Sequence, residues 1–265
     1  EVLTDHYLAM PSESQLSPEI EGIDVTEPVF GSQAKWITAD KREDAEVYGY
    51  AVVDAISVII THLSETVKKY AGELLGRQEV AQILENVKKV NKGLVEDAVP
   101  AAISMGDLQK ILCNLLKERL PIRDMVTILE TVCDYGTVTK DTDMLTEYVR
   151  QALKRTISRL YVKNNRLNAI ILDPEVEKNI MASVRKTEHG SYIAMQPDMM
   201  QKIVTSLVEE IKKVNDQCEN IVVLTSPVVR FYFRKMTEQL LPEITVLSFN
   251  EIEKSVEVAA LATVH

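Results

Sequence analysis

The sequence predicts a mixed α/β and α fold: small α/β subdomains at the N-terminus, a helical middle subdomain and a C-terminal α/β subdomain. Three patterns support this prediction. Short apolar runs separated by turns occupy the first part, helical apolar spacing fills the middle, and strands alternate with helices at the end. We therefore expect the chain to divide into residues 1–75, 76–160 and 161–265.

The N-terminal segment has a β–α–β pattern followed by a long helix. Ala34–Thr38 and Tyr50–Val53 have strand character, and Asp40 can cap a polar helix between them. A helical pattern then runs from Ser57 to about residue 75. The chain begins abruptly at Glu1, in a pattern typical of a strand interior, which predicts that it is a fragment.

The middle segment carries apolar residues at helical spacing over residues 77–90, 107–119 and 141–157. Between the last two stretches, Pro121 is expected in the first turn of another helix, because the missing N–H of proline leaves no group unpaired there. Ile122, Met125, Ile128, Leu129 and Val132 form the inner face of that helix. The polar pair Arg123-Asp124 is expected to tie neighbouring helices together by charge-assisted hydrogen bonds.

The C-terminal segment predicts helices over a small sheet. Helices are expected to start at Pro174, Pro197 and Pro227. The predicted strands are Leu167–Leu172, Ser191–Met195, Ile221–Thr225, Ile244–Phe249 and Val256–Val264. The run Ile221–Thr225 is apolar throughout, as expected for a strand covered on both faces of the sheet.

Composition excludes several classes of function. The net charge of −10 opposes binding to nucleic acid and to anionic lipid. No run reaches the roughly 18 apolar residues of a membrane span, and no signal peptide is visible. The three cysteines are widely spaced and odd in number, which fits a reducing compartment.

Catalytic and metal-binding patterns are missing from the sequence. The four histidines do not lie at metal-ligand spacing from one another or from a cysteine, and there is no phosphate-binding glycine loop or GxSxG nucleophile elbow. We therefore expect no catalytic residues, no metal and no cofactor, and we expect that the protein is not an enzyme.

Two regions are candidate interaction surfaces. Phe30, in a turn-like context beside Gly31, either fills a core or lines an exposed pocket; composition favours the core. The run from Tyr50 to Leu63 has more apolar residues than one buried face needs, so it can form an exposed patch.

A basic cluster on the last middle helix is a third candidate. Its members are Arg150, Lys154, Arg155 and Arg159. These cations either complement the helix dipole, or they face an acidic partner or a neighbouring subunit.

A set of motifs, in order and over nearly the whole chain, resembles the cytoplasmic domain of the FlhA (FHIPEP) family of flagellar type III secretion export-gate proteins. The motifs are Phe30-Gly31 with Ala34–Ile37, Gly49–Asp54, Thr61–Leu63, Leu74–Glu79, Leu120–Thr131 and Leu145–Leu153. Virulence-type members tend to have SIRN where this chain has Pro121-Ile122-Arg123-Asp124, so the flagellar branch is favoured.

The resemblance implies a docking platform. It implies that the full protein is an integral membrane protein, with this part at the cytoplasmic face of the bacterial inner membrane, and that the first segment holds an incomplete first subdomain and an inserted second. The implied partners are flagellar export chaperone–substrate complexes, other export-apparatus proteins and further copies of the chain in a nine-membered ring, without nucleic acid.

By the same resemblance, the partner-binding residues are Glu27, Phe30, Val53, Val58 and Thr61. We expect Phe30 to be the central aromatic anchor, Val53 and Val58 to line the walls, and Thr61 and Glu27 to supply polar contacts at the rim. The alternatives are a module whose main role is ring formation, or the equivalent domain of a virulence-type secretion system.

Overall fold

The computed structural model describes residues 2–11, 18–29, 31–187, 190–215 and 221–265. The chain forms two compact units, residues 1–71 and 72–265, and their mixed α/β architecture confirms the predicted fold class. The division into residues 1–75, 76–160 and 161–265 stays a prediction.

The first unit is built on a four-stranded antiparallel sheet with strand order β2-β3-β1-β4. Its strands are β1 (Tyr7–Pro11), β2 (Ile23–Thr26), β3 (Gln33–Ile37) and β4 (Tyr50–Asp54). A 3-10 turn (Ala39–Lys41) and helix α1 (Arg42–Val47) join β3 to β4, and helix α2 (Ala55–Leu74) follows β4. The predicted β–α–β order is confirmed. Val2 and Leu3, expected to have strand character, precede β1 and are not in a strand.

Successive residues on the strands of this sheet pack on opposite faces, as the period of two requires. Leu8 and Trp36 contribute to one apolar cluster, while Ala9 and Ile37 contribute to the other. The first cluster also contains Ala55 and Val58 from α2. The start of α2 is thereby fixed against one face of the sheet.

The second unit begins with a helical part. Its helices are α3 (Arg77–Lys88), α4 (Lys92–Glu96), an irregular helical turn (Asp97–Ala102), α5 (Met105–Lys117), α6 (Met125–Gly136), α7 (Thr142–Ala152) and α8 (Lys154–Tyr161). Their predicted apolar stripes are buried, among them Leu112 on α5, Leu129 on α6 and Val149 on α7.

Pro121 does not begin a helix, and that prediction was wrong. It follows the end of α5, where Arg119 adopts a φ of 57° and the Leu120 N–H donates to the carbonyl of Leu115 at 2.9 Å. This arrangement is a Schellman C-cap, after which proline commonly stands because it cannot continue the helix. Helix α6 begins four residues later, at Met125.

Asp124 caps α6 and does not join neighbouring helices as predicted. Its carboxylate accepts hydrogen bonds from the Thr127 N–H at 3.2 Å and the Thr127 hydroxyl at 2.8 Å. Arg123 is exposed to solvent. The polar pair therefore marks where the helix starts, because a carboxylate at this position satisfies an N–H that has no partner inside the helix.

The rest of the second unit is a parallel sheet with strand order β10-β5-β8-β9. Its strands are β5 (Arg166–Leu172), β8 (Val222–Thr225), β9 (Thr245–Ser248) and β10 (Glu257–Val264). The other elements are α9 (Pro174–Ser183), the hairpin β6 (Val184–Thr187) and β7 (Gly190–Ile193), α10 (Pro197–Val214), α11 (Pro227–Thr237) and a 3-10 turn (Phe249–Glu251).

Both faces of the parallel sheet are buried, as the apolar run in β8 predicts. Leu224 and Leu247 pack into the core of the helical part. Val223 and Val246 pack against Phe233 of α11 in a second core. The helical part and the sheet thus share one continuous apolar interior.

We expect Asp124→Ala to lower the free energy of unfolding by about 1 kcal/mol, because the first turn of α6 loses its capping acceptor. Urea denaturation measures the change. Asp124→Ser, which keeps a side-chain oxygen at the cap, should recover most of the loss, whereas equal losses in the two variants would contradict a capping role.

Candidate functional site

Glu27 organises the loop between β2 and β3. Both oxygens of its carboxylate lie 3.0 Å from the backbone nitrogen of Val29, and its own N–H donates to the Ser32 carbonyl at 2.8 Å. Only 5% of its surface is exposed. At Gly31 the backbone adopts a φ of +71°, a conformation that glycine enters without steric cost. Glu27 therefore stabilises the conformation of this loop through hydrogen bonds to the backbone of the loop itself.

Phe30, the predicted aromatic anchor, lies outside the described residues. Its role as the anchor stays a prediction. Its neighbours Val29 and Gly31 are described, and the hydrogen bond from the Gly31 N–H to the Glu27 carbonyl, 3.0 Å long, closes the loop around its position in the sequence.

Val53 and Val58 are brought into the same apolar cluster. Val53 lies on β4, opposite Leu8 in the register of the sheet, and is half-buried. Val58 is buried against the sheet from α2. Thr61 follows three residues later on α2 and is exposed. Of these three predicted site residues, Thr61 offers its side chain to solvent most fully.

Helix α2 carries a row of exposed apolar side chains, which we call the α2 stripe. Its members are Ile56, Ile59, Ile60, Leu63, Val67 and Tyr70. Ile56 is 70% exposed and Leu63 is 61% exposed, whereas Ala55 and Val58 are the only buried residues of the helix. The spacing of three and four residues places the members along one side of the helix. The predicted exposed apolar patch is thereby confirmed.

The sequence reasoning named Thr61 within this stretch but none of the stripe residues individually. The signal was present in the spacing, because a run such as Ile56, Ile60, Leu63 and Val67 marks a continuous helical face. Spacing alone does not tell a buried face from an exposed one, since both have the same period.

Asp54 fixes the beginning of α2. Its carboxylate accepts from the Ser57 hydroxyl at 2.6 Å and from the Ser57 N–H at 2.9 Å. These bonds, led by that of the hydroxyl, hold the pKa of the Asp54 carboxyl below its usual range. The charged carboxylate therefore stabilises the first turn of the helix that bears the stripe.

Arg150 does not face an outside partner or a neighbouring subunit, and that alternative was wrong for it, because its acidic partners lie in the same chain. Its side chain is 1% exposed, and its Nε donates to the Glu251 carboxylate at 2.6 Å. One terminal nitrogen of the guanidinium lies 3.1 Å from Glu118, and the other donates to the Val246 carbonyl at 3.3 Å. Its predicted neighbours Lys154, Arg155 and Arg159 are exposed.

Arg150 is one of five charged residues that form a buried network; the others are Glu118, Glu147, Arg230 and Glu251. Arg230 of α11 binds Glu147 of α7 through two nitrogens and lies 2.8 Å from Glu118. Glu251 is completely buried and also accepts from the Ser248 N–H. The network joins α5 and α7 of the helical part to α11 and the β9 end of the sheet.

The charges in this network are unequally balanced, since three carboxylates share two guanidinium groups. Burial tends to raise the pKa of Glu118, but Arg150 and Arg230 outweigh it and bring that pKa below its usual range. At Glu147 burial is the larger effect and raises the pKa of the carboxyl against the opposing influence of Arg230, and the Glu251 charge acts in the same direction as burial. The pKa values of both arginines are raised, so both stay charged.

Within the described part of the chain, no three His, Cys, Asp or Glu side chains are grouped so that they could hold a metal ion. The same residues include no helix with the length and apolar character needed to cross a membrane.

The chain matches the FHIPEP family over residues 1–257. It is 44% identical to the flagellar biosynthesis protein FlhA of Bacillus subtilis over 265 residues, which is 100% of this chain and 39% of that protein. It is 35% identical to FlhA of Borreliella burgdorferi over 92% of this chain and 35% of that protein. The chain thus spans less than two fifths of the length of these curated relatives.

Solved structures give the same assignment. The Chlamydia pneumoniae CdsV protein is 30% identical with a TM-score of 0.88, covering 100% of this chain and 76% of that one. CdsV in complex with CdsO matches with 32% identity and a TM-score of 0.81, over 87% of this chain and 68% of that one. Nonameric EPEC SctV-C matches with 28% identity and a TM-score of 0.77, over 99% and 78%.

We expect Arg150→Leu to lower the free energy of unfolding by roughly 3–5 kcal/mol, because it leaves Glu251 and Glu118 with too little positive charge in a buried site. Arg155→Leu is the matched control, since Arg155 is exposed and lies 3.6 Å from Glu253; its effect should stay within about 0.5 kcal/mol. Urea denaturation measures both. Similar losses in the two variants would show that the network does not stabilise the fold.

The network also predicts a pH dependence. The pKa of Glu118 is lower in the folded state, so its ionised form stabilises the fold above the pKa of the unfolded chain, and this contribution is lost as the pH falls through the folded value. The difference in unfolding free energy between wild type and Glu118→Gln should therefore be largest near neutral pH and shrink below about pH 4. Urea titrations across that range measure it, and a difference independent of pH would contradict the assignment.

Proposed function

The chain belongs to the FHIPEP family, and we propose that it is the cytoplasmic docking domain of a flagellar type III export gate. In this role it binds complexes of export chaperones with their cargo, at the cytoplasmic face of the bacterial inner membrane. The 44% identity to a flagellar FlhA over the whole chain supports the flagellar assignment. The matches to CdsV and SctV-C, at 30% and 28% identity, support it less directly.

The observation that carries the docking proposal is the α2 stripe. Six large apolar or aromatic side chains are exposed along one side of one helix. A contiguous apolar surface of this kind is normally covered, either by a partner or, since the resemblance implies that the first subdomain is incomplete in this chain, by an earlier part of the same protein. An amphipathic helix of a chaperone, laid against the stripe, buries these side chains and its own apolar face together.

The residues of the predicted site take different parts in this interaction. Thr61 is exposed on α2 but lies about 100° around the helix from Ile60, outside the α2 stripe, so it offers a polar contact on a different side of the helix. Val58 is buried, so it supports the stripe from beneath and does not line an open wall. Glu27 fixes the loop next to Phe30, and Val53 packs under the same sheet face. Phe30 remains the proposed aromatic anchor, because a few such residues supply most of the binding energy of an interface.

Ring assembly is a second candidate role, favoured by the nonameric state of SctV-C. The surface that we propose for contacts between copies includes the exposed cations Lys154, Arg155 and Arg159, without Arg150. By analogy with the complex of CdsV and CdsO, we also propose that other export-apparatus proteins bind this domain. We further propose that the domain is not an enzyme and needs no cofactor.

Phe30→Ala and Ile60→Asp should each weaken binding of a flagellar chaperone–cargo complex by at least about tenfold, because the first removes the anchor and the second places a charge in the stripe. Isothermal titration calorimetry measures the affinity. Val47→Asp is the matched control, since Val47 is 81% exposed on α1 and lies outside the stripe; it should leave the affinity within twofold.

Thermal melts of the same variants separate docking from folding. A melting temperature close to that of the wild type, with lost affinity, supports docking at this surface. Unchanged affinity in both Phe30→Ala and Ile60→Asp refutes it. A collapsed melt of Phe30→Ala alone identifies Phe30 as a core residue. The sedimentation coefficient of the variants tests ring assembly separately, because the surface proposed for contacts between copies does not include Phe30.

A further inference from the structure

The second unit contains an open groove of about 830 Å³ that is separate from the α2 stripe. Helix α7 forms one wall, and the start of α11 with the end of α9 and the β6–β7 hairpin forms the other. We call it the α7–α11 groove. The side chains on which the argument rests are Asp143, Met144 and Tyr148 on α7, Met181 on α9, and Val228 and Phe231 on α11.

The middle of the groove is apolar and accessible. Val228 is 63% exposed, and Met144 and Met181 are also exposed. The aromatic side chains are held by their neighbours: Tyr148 stacks on Tyr135 with ring centroids 4.2 Å apart, and Phe231 meets Tyr232 edge to face. Fixed aromatic rings beside methionines, whose side chains adapt easily, make a surface suited to a partner's apolar side chains.

The lining of the groove is negatively charged. Four carboxylates line it, those of Asp107, Asp141, Asp143 and Glu147, with the two lysines Lys110 and Lys140. Glu147 is paired with Arg230, and Asp107 lies 3.8 Å from Lys110. The negative charge of the lining therefore comes from Asp141 and Asp143. Asp143 accepts a hydrogen bond from the neutral amide of Asn114 at 3.2 Å. Asp141 accepts from two backbone N–H groups at the start of α7. The donors in these hydrogen bonds are neutral, so the charges of Asp141 and Asp143 are available to a cationic partner.

We propose that the α7–α11 groove binds a basic amphipathic helix of another protein. Apolar side chains of that helix pack on Val228, Met144 and Phe231, and its lysine or arginine side chains reach Asp143 and Asp141. The charge complementarity selects this occupant, since an acidic helix is repelled. A second copy of the chain is a poor occupant, because its own net charge is −10. The proposal is independent of docking at the α2 stripe.

The test uses the whole 265-residue chain and a fluorescent 14-residue model peptide with leucines on one helical face and lysines on the other. The same peptide with glutamates in place of the lysines is the charge control. Fluorescence anisotropy at about 0.15 M salt, where long-range attraction is largely screened, measures the affinity. We expect the lysine peptide to bind and the glutamate peptide to bind at least tenfold more weakly.

Matched variants locate the site. Val228→Asp should weaken binding of the lysine peptide by at least about tenfold, while Val138→Asp, at a residue that is 78% exposed outside the groove, should leave it within twofold. Both variants add one negative charge, so general attraction of the cationic peptide cannot distinguish them. Val228 is the second residue of α11, where the helix dipole stabilises a negatively charged side chain, so we expect the Val228→Asp variant to fold.

A second pair of variants tests the charge. Asp143→Asn should weaken binding about threefold or more, whereas Asp198→Asn, at an exposed position outside the groove, should not. Three results would each overturn the proposal. The lysine peptide could bind Val228→Asp and Val138→Asp equally well, the wild type could bind the two peptides equally well, or the lysine peptide could fail to bind. If the wild-type chain forms a dimer and Val228→Asp abolishes that dimer, the occupant of the groove is a second copy of the chain and the proposal is overturned.

Discussion

The buried network of Arg150, Arg230 and three glutamates is the constraint on which the second unit depends. Removing charged groups from water is costly, and only a complete set of partners with good geometry offsets that cost. Here the partners come from α5, α7, α11 and the turn after β9, with the Val246 carbonyl of the sheet as an additional acceptor. The helical part and the sheet therefore cannot separate without leaving charges unpaired in an apolar interior.

This constraint explains how one unit can offer an open groove without losing its fold. The network lies directly behind the α7–α11 groove, since Glu147 both lines the groove and binds Arg230. The two walls of the groove are thus joined at their base by the ion pair of Arg230 with Glu147. The first unit is organised differently. Helix α2 has 20 residues and only two buried ones, so its length is held mainly by local hydrogen bonds and by its cap at Asp54.

Local patterns in the sequence predicted most helices and strands correctly. They did not predict which charged side chains pair when the two residues are far apart in the sequence. The apolar faces of α5 and α6 and the apolar run of β8 were correct, because periodicity shows which residues share one face, and in these elements that face is buried. Pro121 was misplaced because a proline just after one helix looks like a proline at the start of the next. Arg150 looked like a surface cation because its partner Glu251 lies 101 residues away. The resemblance to a family supplied the candidate site, but it did not reveal that the Glu27 side chain faces its own loop.

The α2 stripe and the α7–α11 groove differ in chemistry, and the difference determines which partners each can select. The α2 stripe itself is apolar, and the pair Glu65–Lys68, 2.5 Å apart, lies on another side of the helix, so contact at the stripe depends on apolar area more than on charge. The lining of the groove combines apolar and acidic side chains, so it discriminates by charge as well. The two proposed sites therefore differ in selectivity, because charge discriminates between ligands at the groove and apolar area decides at the stripe.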